Sequence, residues 1–279
     1  MGFFGRLTAS IQLIKESWNI LKKDKELLLY PLVSAVISII LLFAIFVPVV
    51  FAGFSSFNFW IAFVVFYFIA VIIGTFFTAG LMASANIRFN GKDPKFSDGL
   101  KIAAKNFPKL LGWAILNATV GLILRTVAEG DNIIAKIVSY ILAFAWTMLT
   151  LFTIPVILFE KKGVFSSIKR SGEIFKNTWG ESVVGQFSIG ALFGLGFLLG
   201  LGLIFLAYLS GIFILFATVF VVVFVFWVVL YLVTSALNGI YLTALYNYAT
   251  KKKLPKGFSK EFIQSAFIEK KKKISGGFV

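Results

Sequence analysis

Six apolar stretches, each long enough to cross a bilayer, alternate with connections that are lysine-rich and connections that are not. A hydrocarbon core of about 30 Å takes roughly 20 residues of helix. The stretches that qualify are residues 27–52, 59–85, 109–128, 133–159, 182–209 and 212–248. The third is the weakest, interrupted by Asn117, Thr119 and Arg125, and the sixth is longer than one crossing needs. Its last turns, Asn238 to Tyr248, are expected to project from the membrane as an amphipathic extension. Residues 182–248 have length enough for three short spans instead of two, which would move the chain's end to the opposite face.

Charge favours six. Arg6, Lys15, Lys22, Lys23 and Lys25 precede the first span, and Arg88, Lys92, Lys95, Lys101 and Lys105 fall between the second and third, with Lys109 at the edge of the third. Lys161, Lys162, Lys169, Arg170 and Lys176 fall between the fourth and fifth, and nine lysines follow Tyr248. The three opposite connections hold none; only Arg125 and Lys136 lie near that side. Basic loops stay in the cytoplasm, and six spans place all four basic segments there together. The expectation is an all-α, polytopic protein of the cell membrane, with six transmembrane helices as three hairpins and both termini cytoplasmic. Residues 1–248 form the membrane domain and 249–279 a lysine-rich tail.

Composition agrees and narrows the chemistry. The 279 residues are 59% hydrophobic and 14% charged, against roughly 25% charged in soluble domains. Neither Cys nor His occurs. Thiol chemistry, imidazole catalysis and nearly every transition-metal site are thereby excluded. No acidic residue lies mid-span, no phosphate-binding loop is present, and no enzyme activity, cofactor or metal is expected. Glu160, Glu173 and Glu181 are expected to pair with Lys161, Lys169, Arg170 and Lys176, and Arg125, Glu129, Asp131 and Lys136 to form an ion-pair network.

A phrase recurs after the even-numbered spans: Lys92-Asp93-Pro94-Lys95-Phe96-Ser97, Lys161-Lys162-Gly163-Val164-Phe165-Ser166, and Lys253-Leu254-Pro255-Lys256-Gly257-Phe258-Ser259. Ser97, Ser166 and Ser259 are expected to cap short helices. Leu100, Ala103, Ala104 and Phe107 would share one apolar face, as would Ile168, Gly172, Phe175 and Trp179, and Phe262, Ile263, Ala266 and Phe267. Ile11, Ile14, Trp18 and Leu21 repeat the spacing near the N-terminus. Each would lie in the cytoplasmic interface with its apolar side in acyl chains, giving a unit of interfacial amphipathic helix plus hairpin, three times over.

Binding residues follow from where polarity sits. Lys251, Lys252, Lys253, Lys256, Lys260, Lys270, Lys271, Lys272 and Lys273, with Lys169 and Arg170, are the expected contacts for anionic lipid, each worth about 1 kcal/mol near a charged leaflet. Asn117, Thr119, Gln186, Ser188 and Asn238 are intramembrane polar residues that either line a pathway or tie helices together. Gly190, Gly194, Gly196, Gly200 and Gly202 smooth the fifth span for close helix approach, within the protomer or in a homo-oligomer. Thr75, Ala79 and Ala83 form a similar stripe on the second. No module for nucleic acid accompanies the lysines.

The run Ile154-Pro155-Val156-Ile157-Leu158-Phe159-Glu160, with Ile168-Lys169-Arg170-Ser171 and Thr178-Trp179-Gly180-Glu181, resembles a family of prokaryotic six-helix membrane proteins of undefined function. Thr119-Val120-Gly121 and Phe76-Phe77 with Ala79 carry the same likeness, and the Lys-Arg-Ser and Trp phrase is similar to the membrane portion of some glycerophosphodiester phosphodiesterases. The resemblance implies architecture, without catalytic residues. The expected function is a non-enzymatic membrane protein that binds anionic lipid and organises the membrane or a partner complex. The alternative is a transporter or permease for a lipid or small solute.

Overall fold

A computed structural model describes residues 14–52 and 55–251, apart from the side chains at positions 177, 179–182, 184, 185 and 251. Residues 14–23 form α1, and a 3-10 turn, Lys25–Leu28, leads into α2, Leu29–Phe51. There follow α3 (Ser56–Phe89), α4 (Phe96–Lys105), α5 (Phe107–Glu129), α6 (Ile133–Thr150), α7 (Thr153–Glu160), α8 (Val164–Leu209) and α9 (Phe213–Lys251). No strand occurs among the described residues. Six segments are long and apolar enough to cross a membrane: Lys25–Phe51, Ser56–Phe89, Phe107–Glu129, Ile133–Glu160, Gln186–Leu209 and Phe213–Thr250. One continuous α9 removes the three-span alternative.

The lysine-free turns are set by local chemistry. Ser55 Oγ accepts from Asn58 N (3.2 Å) at the start of α3, and Asn132 Oδ1 accepts from Ile134 N and Ala135 N at the start of α6. Each side chain satisfies amides that have no partner within the helix. Between α8 and α9, Gly211 takes φ +68°, a left-handed conformation that glycine adopts without a Cβ clash. These turns close the hairpins α2–α3, α5–α6 and α8–α9, and α3 sits between them, touching α2, α4, α5, α7 and α9.

The fully buried side chains gather at the end of the bundle that carries the lysines, here the basic end. Leu27, Tyr30, Ala79, Ala83, Phe152, Val156, Ala236, Ile240 and Tyr241 form its centre. Small residues on α3 and α9 let these helices approach, as the Thr75, Ala79 and Ala83 stripe predicts. The last turns of α9 do not project as an amphipathic extension: Leu237, Ile240, Tyr241, Leu242, Thr243, Ala244 and Leu245 are all buried. A Cβ at Gly239 would stand 2.2 Å from Leu81 Cδ2, so the chain there is enclosed by protein on its glycine side too.

The fourth span is broken. After Thr150 the helix gives way to a turn at Leu151 and Phe152 before α7 resumes. Pro155 supplies the cause, since it lacks an N–H and its ring collides with the carbonyl four residues back. Ser171 of α8 repairs part of the damage, its Oγ accepting from the buried Phe152 N at 2.9 Å.

The short helices depart from expectation at their starts. Ser97 and Ser166 are not N-caps, because α4 begins at Phe96 after Lys95, and α8 begins at Val164 after Gly163. Carboxylates cap α4 instead: Phe96 N donates to Glu26 Oε2 (2.6 Å) and Lys95 N to Asp98 Oδ2 (3.1 Å). Ser259 and the face of Phe262, Ile263, Ala266 and Phe267 lie outside the described residues, as does Ile11. The buried face of α4 is Gly99 and Ala103, packed on protein, with Ala104 and Phe107 exposed. In α8 it is Ser167, Ser171, Ile174 and Thr178; Ile168, Gly172 and Phe175 are half-buried, and the Trp179 side chain is not described. In α1 Ile14 and Leu21 are buried in the protein core, not turned to acyl chains, and Trp18 is exposed under Lys22 (5.3 Å). Non-helical dihedrals at Thr178 (φ −123°, ψ 18°) divide α8 into a short first arm and the span that follows.

Candidate functional site

At the basic end the polar residues left by the second helix of each hairpin meet. Asn247 Nδ2 on α9 donates to Asn86 Oδ1 on α3 at 2.8 Å, joining two residues that stand at matching places before the repeated phrase. Beside them Tyr246 Oη donates to Glu160 Oε1 of α7 at 3.2 Å. Glu160 also receives Arg170 Nε (3.1 Å) and Lys162 Nζ (3.0 Å), and Arg170 Nη1 reaches Glu173 Oε2 (3.1 Å). The hydrogen bond to Glu173, then that to Glu160, raises the pKa of Arg170 further above its ordinary value. Arg170, expected to meet lipid, is therefore occupied by two carboxylates. The pairings expected of Arg170 with Glu160 and Glu173 form, Lys162 joins Glu160 in addition, and the Glu181 side chain lies outside the described residues.

A second node holds the first hairpin. Tyr30 Oη donates to the Phe96 carbonyl at 2.8 Å and lies 2.6 Å from Ser84 Oγ, tying α2, α3 and α4 together. Arg88 Nε is 3.9 Å from Asp24 Oδ2, and its Nη1 bonds Asp93. Burial raises the pKa of Asp24 above its ordinary 3.8, more than Arg88 lowers it. Nothing in the residues' spacing placed Tyr30 against α4. In both nodes the carboxylates already have cationic partners, and no hydroxyl is set beside a free base among the described residues. The arrangement ties helices together.

Around these nodes stands a rim of lysines. Lys15, Lys22, Lys23, Lys25, Lys92, Lys95, Lys105, Lys161, Lys169 and Lys176 are exposed, and none has an ion-pair partner among the described residues. Lys251 is the last described residue. Its side chain and Lys252, Lys253, Lys256, Lys260, Lys270, Lys271, Lys272 and Lys273 lie outside the description.

The intramembrane polar residues do not converge. Gln186 Nε2 donates to Asn238 Oδ1 at 2.7 Å, joining α8 to α9. Asn117 Oδ1 accepts from Trp146 Nε1 at 2.9 Å, joining α5 to α6, where it borders a cleft of about 500 Å³. Thr119 is exposed and donates to Ile115 O, and Ser188 is half-buried on α8. Gly196 and Gly200 serve packing within the protomer, against Leu230 and Trp227 of α9, while Gly190, Gly194 and Gly202 face open space. Of the outer charged group, Arg125 and Glu129 pair at 2.8 Å, while Asp131 and Lys136 have no ion pair among the described residues.

Six apolar helical segments in three hairpins, closed by polar nodes at one basic end, make this a multi-pass membrane-type helical protein. The chain belongs to DUF6159, a family of unknown function, whose model matches residues 56–256, from the start of α3 to beyond α9. The match supports the likeness to a membrane family of undefined function and shows no link to glycerophosphodiester phosphodiesterases. No curated protein matches the chain.

Proposed function

We propose that this protein is a non-enzymatic component of the cell membrane that gathers anionic lipid at its basic, cytoplasmic end and so organises the surrounding membrane or a partner complex. The observation that carries this reading is the rim of exposed lysines around an end where Asp24, Asp93, Glu160 and Glu173 already face other cations. Charges spent internally offer nothing to a leaflet; the lysines left over do. Each contributes about 1 kcal/mol near an anionic surface, less as salt rises. The lysines of the tail would extend the same surface.

The test is lipid enrichment around the full chain in nanodiscs of mixed zwitterionic and anionic phospholipid. Replacing Lys22, Lys23 and Lys25 together by Gln should reduce anionic enrichment by roughly tenfold or more, and raised salt should mimic the change. Unchanged enrichment would overturn the reading. Transport of a lipid or small solute draws support from the cleft at Asn117. Against it, Gln186 and Asn238 bond each other and so are not free to line the same path.

A further inference from the structure

At the other end of the molecule, the far end, α3, α5 and α6 leave between them the cleft of about 500 Å³, within the range of small-molecule sites. Its mouth carries Arg125 and Glu129, and its inner end is Asn117 with Trp146. Eight residues of helix separate Arg125 from Asn117, about 12 Å of depth at 1.5 Å per residue. A site of this shape takes a long molecule with a charged head.

We propose that the cleft holds one zwitterionic phospholipid of the far leaflet, phosphate on Arg125, head-group ammonium on Glu129, and an acyl chain running inward to Trp146. Three observations support the head. Arg125 Nε is committed to Glu129 Oε1 at 2.8 Å, but neither terminal guanidinium nitrogen has a hydrogen-bond partner among the described residues. Those two nitrogens form the fork that binds phosphate oxygens. The Phe63 ring, 5.5 Å from the guanidinium carbon, holds the group in place. The neighbouring carboxylate makes the mouth neutral overall, which suits a head bearing both charges and disfavours one bearing only a negative charge.

The walls support the rest. Most polar lining groups are already bound to protein: Ser139 Oγ to the Leu124 carbonyl, Thr147 Oγ1 to Ala143 O, and Asn117 to Trp146. The Tyr67 hydroxyl has no hydrogen-bond partner among the described residues. It lies over Gly121, where a Cβ would come within 2.7 Å of it. Gly121 is one turn inward of Arg125, about 6 Å, where the ester carbonyls of a lipid held by its phosphate would sit. A hydroxyl left unbonded at that depth is costly, and an ester carbonyl would satisfy it. This site is separate from the lysine rim and stands or falls independently of it.

The test is native mass spectrometry of the full chain in detergent, titrated with phosphatidylethanolamine, with phosphatidylglycerol, and with phosphoethanolamine lacking chains. One molecule of phosphatidylethanolamine should remain bound to the wild type. Arg125→Gln should weaken it about tenfold, and Tyr67→Phe, which keeps the fold's packing, about threefold. Gly121→Leu should abolish it by filling the cleft, while the triple Lys22, Lys23 and Lys25 variant should retain it. Equal retention by Arg125→Gln and Tyr67→Phe would overturn the site. Equal binding of phosphatidylglycerol would remove the role given to Glu129, and competition by chain-free phosphoethanolamine as strong as by the lipid would overturn the chain placement.

Discussion

At the basic end Ala79, Ala83, Ala236 and Ile240 are each no more than 1% exposed, while at the far end Phe51, Phe57 and Phe213 are between 74% and 86% exposed. Both ends are apolar, so hydrophobicity alone does not separate them. Lipid chains solvate a phenylalanine as well as protein does, and nothing drives far-end side chains inward. What distinguishes the basic end is small residues that admit close backbone approach and polar groups that bond across helices. The fold is held at one end and left for lipid to cover at the other.

The largest test of this contrast places one methyl group at each end. At Gly99 a Cβ would stand 2.2 Å from Tyr30 Oη, 2.3 Å from the Gly80 carbonyl and 2.5 Å from Ser84 Oγ. The backbone carbonyl has no rotamer with which to move away, so α4 must lift from α3 and break the Tyr30 bonds. Gly99→Ala should cost about 2–4 kcal/mol, overpacking plus lost hydrogen bonds, read by reversible denaturation in detergent. Gly202 at the far end faces open space. Gly202→Ala should change stability by no more than about 1 kcal/mol, in the stabilising direction. Equal losses at both sites would mean that the far end is packed after all, against a second copy of the chain.

A smaller contrast concerns one hydroxyl at each end. Ser171→Ala would leave the buried Phe152 N–H without its acceptor and should cost about 1–3 kcal/mol. Ser210 Oγ accepts from Ile212 N (3.2 Å) at an exposed turn, where solvent or headgroups replace it. Ser210→Ala should cost under about 1 kcal/mol. If the two losses match, the break in the fourth span is reached by solvent and is not sealed by α8.

The six spans, the hairpin pairing and the basic end were legible because length, polarity and charge alternation act locally along the chain. The break before α7 had a local sign in Pro155, but its repair by Ser171 depends on where α8 lies, which no window of sequence contains. The same holds for Tyr30 against α4, and for Asn247 against Asn86, 161 residues apart. The end of α9 misled for a related reason: Asn238, Tyr241, Thr243, Tyr246 and Asn247 resemble a polar face to water, and in the fold they meet other helices. Periodicity identifies which residues share a face; it does not say whether protein, lipid or water covers that face.

The smallest effect expected is also the one whose sign decides between packing and charge at the basic end. Asp24 is buried, 3.9 Å from Arg88, and its Oδ2 has no hydrogen-bond partner among the described residues. Burial raises its folded pKa above the ordinary 3.8 despite Arg88, with Asp93 and Glu26 adding to the rise. The folded state then keeps this proton at a pH where the unfolded chain has lost it. The stability it contributes is complete below the unfolded value and disappears as pH rises through the folded one. Asp24→Asn, neutral throughout, should equal or exceed the wild type at pH 7 by up to about 1 kcal/mol. That margin should shrink as both are titrated into acid. Glu129→Gln at the far end removes only an exposed ion pair and should lose up to about 0.5 kcal/mol at pH 7. Opposite signs at the two ends would confirm that the basic end is closed by packing which tolerates its charges. A clear loss in Asp24→Asn would instead make the Asp24–Arg88 pair a clasp, and charge rather than close approach would be what holds that end shut.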